Sequence, residues 1–312
     1  MIRRILKFLG WSALALLVLV AAVCLYFFPF IERQDDIGYT SRNGVQLSYD
    51  VLTPRKQNGA AILIMVSGSW KSQEGPFHRW IVAPLLRRGY TVFAVRHLSQ
   101  PKATVTEIVE DLNRAVRHIR FHSANYGIAK DRFGVSGGSS GGHLSLMLAT
   151  RGGEPEKTDA PGAIDLESSA VQAAAVFFPV TDLVDLGPST QNPGDGGPPT
   201  SYVKGFGFTP KPDDRKHIPK AEMPRWKEVA HELSPIHQLS PGLPPIRIIH
   251  GDADTLVPLD QSLRFLEKAK ELGIDDRIDL QIRNGKGHGW LTMIFDLPKF
   301  ADWYDQHLAP AS

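Results

Sequence analysis

Apolar positions change rhythm along the chain, and each change predicts an element. Residues 37–40 and 45–52 read as two strands joined at Arg42-Asn43-Gly44, a hairpin signal. Residues 60–66 (AAILIMV) form a continuous apolar run, the pattern of a strand buried on both faces. Helical spacing follows around Trp80, Ile81, Pro84, Leu85 and Leu86, and 90–95 reads as another strand. Val105, Ile108, Val109, Leu112, Val116 and Ile119 recur at helical spacing and predict one long amphipathic helix. A short strand at 133–135 precedes a helix carrying Leu144, Met147 and Leu148. Further strands are predicted at 171–178, 246–249 and 278–282, with a helix marked by Leu263, Leu266 and Ala269 between the last two. Strand and helix alternate. That predicts an α/β class fold, a mostly parallel twisted sheet with helices on both faces.

Two segments stand outside this rhythm. The first, 8–30, reads FLGWSALALLVLVAAVCLYFFPF and carries no charge. It is about as long as a membrane-crossing helix must be. Bulky Leu25, Tyr26, Phe27 and Phe28 follow its alanines, which disfavours cleavage, and Val23 before Cys24 is wrong for a lipoprotein signal. Residues 1–34 are therefore expected to form an uncleaved signal anchor, with a cleaved signal as the alternative. Arg3, Arg4 and Lys7 predict that this end stays in the cytoplasm, with the remaining domain, 35–312, on the far side of the membrane. The second segment, 186–226, holds eight Pro and six Gly. Long regular elements are not expected there, and such an insertion suits a lid over a site.

Composition narrows the picture only a little. The 312 residues carry a net charge of +2 with no basic block, so nothing points to nucleic acid. The single cysteine, Cys24, cannot form an internal disulfide, and within a membrane span it cannot be a catalytic nucleophile.

The chemistry gathers at three places. RFGVSGGSSGGHLSLMLA runs strand, glycine-rich turn, helix. The pattern G-x-S-x-G fits it twice, with Ser139 or Ser140 at the centre. Such glycines keep side chains away from a tight turn that pushes a serine hydroxyl out beside a helix N-terminus. A serine nucleophile needs a base, and the base needs a carboxylate. PPIRIIHGDADTLVP is a buried strand running into a loop with Asp252 and Asp254. After the next strand, Gly285-Lys286-Gly287-His288-Gly289 sets a histidine in a flexible loop. The order Ser, Asp, His suits a hydrolase of this architecture, and His288 is the expected base. His118 and His122 are spaced i, i+4, but no third metal ligand has a compelling position, so an exposed helix face is expected and no metal or cofactor is called for. His143 is expected to be packed or bonded locally.

These motifs resemble those of the α/β-hydrolase superfamily, in particular carboxylesterases of the hormone-sensitive-lipase and feruloyl-esterase-like (BD-FAE) kinds. Their G-x-S-A-G-G form is similar to Gly137-Gly138-Ser139-Ser140-Gly141-Gly142 and implies Ser139 as nucleophile. Their H-G-x-x-D-x-x-V-P segment, shared with prolyl-oligopeptidase-like hydrolases, implies Asp254 as the acid and leaves Asp252 to local turn bonding. PVTDL at 179–183 and YGIAKDRFGVSGG extend the resemblance, which covers 60–288. Where these esterases carry H-G-G-G-W, this chain has Val66-Ser67-Gly68-Ser69-Trp70. One glycine survives and the histidine is replaced. The resemblance implies an oxyanion hole from Gly68, Ser69 and Ser140. It implies hydrolysis of a small-molecule carboxylic ester through an acyl-enzyme. Two alternatives remain: a prolyl-oligopeptidase-like peptidase, and an inactive membrane-tethered binding protein on a hydrolase fold.

Overall fold

A computed structural model describes residues 2–153, 162–186 and 223–310. Helix α1 (Ile2–Phe27) leads into a hairpin, β1 (Ile31–Arg42) and β2 (Val45–Pro54). Its turn has positive φ at both Asn43 (52°) and Gly44 (76°), the primed geometry whose twist matches the flanking strands. Strand β1 begins well before the predicted start, and its register shifts between Gln34 and Ile37. The chain then alternates through β3 (Ala61–Met65), α2 (Ala83–Arg87), β4 (Thr91–Val95), α3 (Val105–Phe121), β5 (Phe133–Gly138), α4 (Ser140–Arg151) and β6 (Ala173–Phe177). It closes with α5 (Met223–Glu232), β7 (Ile246–Gly251), α6 (Asp260–Glu271), β8 (Ile278–Arg283) and α7 (Leu297–His307).

The eight strands form one sheet in the order β1-β2-β4-β3-β5-β6-β7-β8. Only the β1–β2 and β2–β4 pairs are antiparallel. Apolar side chains bury on both faces. Helices α3, α4 and α6 pack one face, through residues such as Leu112, Leu144 and Phe265. Helices α2 and α7 pack the other, through Leu85, Phe300 and Tyr304. That is why β3 and β6 read as unbroken apolar runs. The long helix predicted from Val105 to Ile119 is α3. It starts at a reciprocal cap, in which the Thr104 hydroxyl accepts from the Glu107 N–H and the Glu107 carboxylate accepts from the Thr104 N–H.

Strand order reverses at β3, with β4 to one side and β5 to the other. A crevice opens at such a switch point, at the carboxyl ends of the strands. The Val66–Lys71 loop, the β5–α4 turn and the loops after β7 and β8 all leave the sheet at this edge. Most of the 186–226 insertion lies outside the described residues. Its last four residues open α5, with Pro224 in the first turn, where a missing N–H costs nothing. The buried Trp226 ties α5 to the core.

Candidate active site

The β5–α4 turn is built by close backbone approach. A Cβ on Gly137 would lie 2.5 Å from the Gly141 carbonyl, and one on Gly141 would lie 2.6 Å from the Met65 carbonyl. Gly138 faces the Phe178 ring, and Gly142 faces the Phe177 carbonyl and Pro179. No larger residue fits at 137 or 141 without moving backbone. Ser139, between them, sits at φ 56°, ψ −123°, a conformation that costs a non-glycine residue on the order of 1–3 kcal/mol. Its N–H donates to the Phe177 carbonyl (3.1 Å) and its carbonyl accepts from the His143 N–H (2.9 Å), so the turn is held from both sides.

The two adjacent serines have opposite surroundings. Ser139 is half-buried, and its side chain does not cap α4 although it occupies the N-cap position. Ser140 is buried. Its Oγ accepts from the Trp70 N–H (3.0 Å) and bonds the Ser67 hydroxyl (3.1 Å). The Ser140 hydroxyl is therefore part of the scaffold, a role its sequence pattern did not announce.

The loop after β7 delivers Asp254, whose side chain is fully buried. Oδ1 accepts from the N–H groups of Leu256 and Val257, each at 2.9 Å. Oδ2 lies 2.8 Å from His288 Nδ1. Since a carboxylate only accepts, Nδ1 carries the proton and Nε2 is left as an acceptor. Burial pushes the Asp254 carboxyl upward. The nearby His250 imidazole and hydrogen bonds from His288 and the Val257 N–H outweigh it and hold the group well below the usual carboxylate range.

His250 was not singled out by sequence reasoning, although it opens the H-G-x-x-D segment. It is fully buried, accepts from the Ser262 hydroxyl at Nδ1 (2.7 Å) and donates from Nε2 to the Val257 carbonyl (2.9 Å). The same Nε2 lies 3.6 Å from Asp254 Oδ2. It locks the acid loop into the curve that aims Asp254 at His288.

The two loops are also stitched directly. Asp252, expected to bond within its own turn, instead accepts from the Gly285 N–H of the histidine loop (2.6 Å), and the Ala253 N–H donates to the Lys286 carbonyl (2.9 Å). A Cβ on Gly251 would lie 2.1 Å from that carbonyl, so the glycine of H-G lets the histidine loop approach. Phe178, at φ 34° just past β6, connects the parts: its ring packs on His288 (centroids 4.5 Å apart) and lies 3.3 Å from where a Gly138 Cβ would be. No sequence motif marks it.

The loop after β3 reaches over the elbow helix. Ser69 and Trp70 both have positive φ, 49° and 53°. The Gly68 N–H donates to the Lys71 carbonyl (2.9 Å) and the Trp70 N–H to Ser140 Oγ. Among the described residues the Ser69 N–H has no partner. The Trp70 indole N–H donates to His143 Nδ1 (3.1 Å), and His143 Nε2 donates to the Leu233 carbonyl (2.7 Å). His143 is thus a buried, neutral strut, and burial holds its pKa down to about 4. His118 accepts or donates at Tyr49 (3.0 Å) and packs on His122. Among the described residues no cluster suited to a metal occurs.

Strand order, the strained β5–α4 turn and the paired loops after β7 and β8 define this molecule as an α/β hydrolase in fold. More closely, the chain belongs to the BD-FAE family, whose family model matches residues 49–269. It is similar to the probable carboxylic ester hydrolase LipM of Mycobacterium tuberculosis, with 26% identity over 68% of this chain and 46% of that protein. Esterase LipQ of the same organism is 26% identical over 69% of this chain and 47% of its own length. The chain therefore spans about half the length of these curated relatives. Among solved structures, a truncated carbohydrate esterase from gut microbiota superposes with a TM-score of 0.72 and 25% identity, covering 88% of this chain and 96% of that one. A butyrate-bound thermophilic esterase of Thermogutta terrifontis gives 0.66 and 25%, over 91% and 97%.

Proposed function

We propose that this protein hydrolyses carboxylic esters of small molecules by a Ser139–His288–Asp254 acyl-enzyme mechanism. Ser139 Oγ attacks the ester carbonyl while His288 Nε2 takes its proton. Asp254 holds the imidazole by its Nδ1–H and stabilises the cation that forms. The oxyanion is met by the N–H of Ser140, at the positive end of α4, and by the N–H of Ser69. Gly68 leaves the expected set of donors, because its N–H is already bonded to Lys71. Collapse expels the alcohol, which takes the proton from His288. Water then attacks the acyl carbonyl with the same base, and the acid leaves.

The strained backbone of Ser139, beside a neighbour whose hydroxyl is buried and bonded, carries this reading. The names of the similar esterases support the ester class. α1 supports the anchor: Leu9–Phe27 has a mean hydropathy of 2.3 with none of that window buried. Together with the basic residues ahead of it, this supports a catalytic domain outside the cytoplasmic membrane.

Labelling of the full chain with a fluorophosphonate tests the nucleophile. Wild type and Ser140→Ala react, and Ser139→Ala does not. Labelling that survives Ser139→Ala would defeat the assignment. Acyl esters should be turned over and dipeptidyl amides left intact; the reverse preference would favour a peptidase.

A further inference from the structure

The segment that follows His288 does something the ester chemistry does not require. Leu291–Phe295 is a short 3₁₀ turn between the histidine loop and α7. Leu291 is 97% exposed and Phe295 71%. Such bulky apolar side chains, so fully exposed and so close together, mark a contact surface. The turn lies against the anchor helix: Ile294, Phe295 and Pro298 line a shallow apolar groove with Val23, Tyr26 and Phe27. Val23 stands four residues before the end of α1, about 6 Å back along the axis. Side chains packed at that level of a spanning helix are at the depth of the lipid interface.

The same helix end is ringed by cations. Arg87 lies over the Tyr26 ring and Arg79 over Phe28, and Arg55 lies over Phe30 just beyond. Guanidinium groups at the exit of a span reach lipid phosphates, with aromatic rings beside them at the boundary. Trp80, 40% exposed, is on the 3₁₀ turn Arg79–Val82 that packs on this helix. The patch thus combines exposed apolar groups, interfacial aromatics and positive charge around one helix exit, three residues from the proposed base.

We propose that the Leu291–Phe295 turn is a second membrane contact, and that it holds the site mouth on the bilayer so that acyl esters reach Ser139 from the lipid. This rests on the anchor and nucleophile readings above. A rim set in the interface receives amphiphilic esters already concentrated there, so the substrate class is a membrane-partitioned acyl ester.

The test uses the full chain in vesicles of zwitterionic and anionic phospholipid brominated near the headgroup. An environment-sensitive fluorophore is attached at the native Cys24, or at Leu291→Cys, Phe295→Cys or Leu272→Cys in a Cys24→Ser background. Leu272 follows α6, on the other face of the sheet, and serves as control. Quenching at 24, 291 and 295 but not at 272 supports the proposal. Quenching at 24 alone overturns it and leaves the anchor standing. No quenching at 24 overturns the anchor reading and the proposal with it. A probe at 291 shielded from water yet untouched by bromolipid identifies a protein occupant such as a second copy, and also overturns it.

A second readout concerns delivery. The double variant Leu291→Glu, Phe295→Glu should hydrolyse soluble p-nitrophenyl acetate within about twofold of wild type but vesicle-borne p-nitrophenyl palmitate about tenfold more slowly. Equal loss on both esters, or no palmitate turnover by wild type that cleaves acetate, would overturn delivery from the lipid.

Discussion

The β5–α4 elbow and the Val66–Lys71 loop face one another across the proposed oxyanion site, and they reach fixed shapes by opposite means. In the elbow, glycines stand where backbone leaves no room: at Gly137 and Gly141 a Cβ would come within 2.6 Å of main-chain atoms. In the loop, Gly68 has open space around its missing Cβ, while the positive φ values fall on Ser69 and Trp70. The elbow is shaped by exclusion. The loop is shaped by hydrogen bonds: the Gly68–Lys71 bridge, Ser72 Oγ donating to the Val66 carbonyl, Trp70 N–H on Ser140, and Trp70 indole on His143. A shape enforced by volume tolerates no substitution. One enforced by bonds tolerates several and fails by degrees.

The sharpest break of this contrast is Gly141→Ala. The new methyl would meet the Met65 carbonyl, so strand or helix must shift, at a cost of about 3 kcal/mol or more. Turnover of a short acyl ester should fall at least about a hundredfold, since misplacement near 1 Å is enough for that. A Gly141→Ala protein with wild-type melting temperature and turnover would show that the elbow is loose enough to take a methyl group.

Next in size is the strut between the two regions. His143 joins the elbow helix to Trp70, and its pKa drops from an ordinary 6.5 to about 4 because burial disfavours the cation. Between those values the unfolded chain binds a proton that the folded chain refuses. Stability from this group is intact above pH 6.5 and is lost as pH falls toward 4, by about 3 kcal/mol in all. His143→Gln keeps one donor and one acceptor without titrating. The urea midpoints of wild type and variant, followed from pH 7 to 4, should therefore converge or cross as the wild type loses stability faster. Parallel curves would mean that His143 does not carry this term. Asp254 acts in the same direction lower down: with its folded pKa depressed, it stabilises above the ordinary carboxylate range, and that stability is lost on acidification toward its folded value.

The same contrast explains what could be read from the sequence. The elbow was legible because sterics leave one residue type at 137 and 141. The primed turn at Asn43-Gly44 was legible for a related reason, and α3 because its apolar positions repeat over a long span. The pairing of Asp254 with His288 followed from motif and chain order. The first residues of β1 were not found, because this exposed edge strand is bulged near Asp36 and shows no clean alternation. The start of α5 was hidden by the Pro/Gly composition of the preceding insertion. In the Val66–Lys71 loop, the glycine count drew attention to Gly68, but which amide is free depends on tertiary hydrogen bonds that spacing does not encode. Phe178 and His250 escaped for the same reason. Their importance is what they touch.

Smaller effects separate the bonded region into its parts. Ser140→Ala removes the acceptor of the Trp70 N–H and the partner of Ser67 but keeps the backbone N–H proposed for the oxyanion. Losing such a buried bond costs about 1–2 kcal/mol. The loss should appear as a roughly tenfold fall in kcat with little change in KM, because the loop meets the transition state more than the ground state. A KM effect alone would move Ser140 from holding the loop to binding substrate.

Gly68→Ala should do least of all. Its Cβ has nothing within 4 Å, its φ is not in the left-handed region, and the N–H that bonds Lys71 is retained. Replacing a glycine where alanine fits without strain stabilises by about 0.4–1 kcal/mol through the unfolded chain. Turnover should stay within about twofold, and the melting temperature should hold or rise slightly. This outcome bears on the donor assignment as well as on packing. If Gly68 were an oxyanion donor lying close to bound substrate, even one methyl there would crowd the acyl group and cut turnover. Unchanged kinetics in Gly68→Ala, beside a deficit in Ser140→Ala, would assign the glycine of this loop to the turn and leave the hole to its serines.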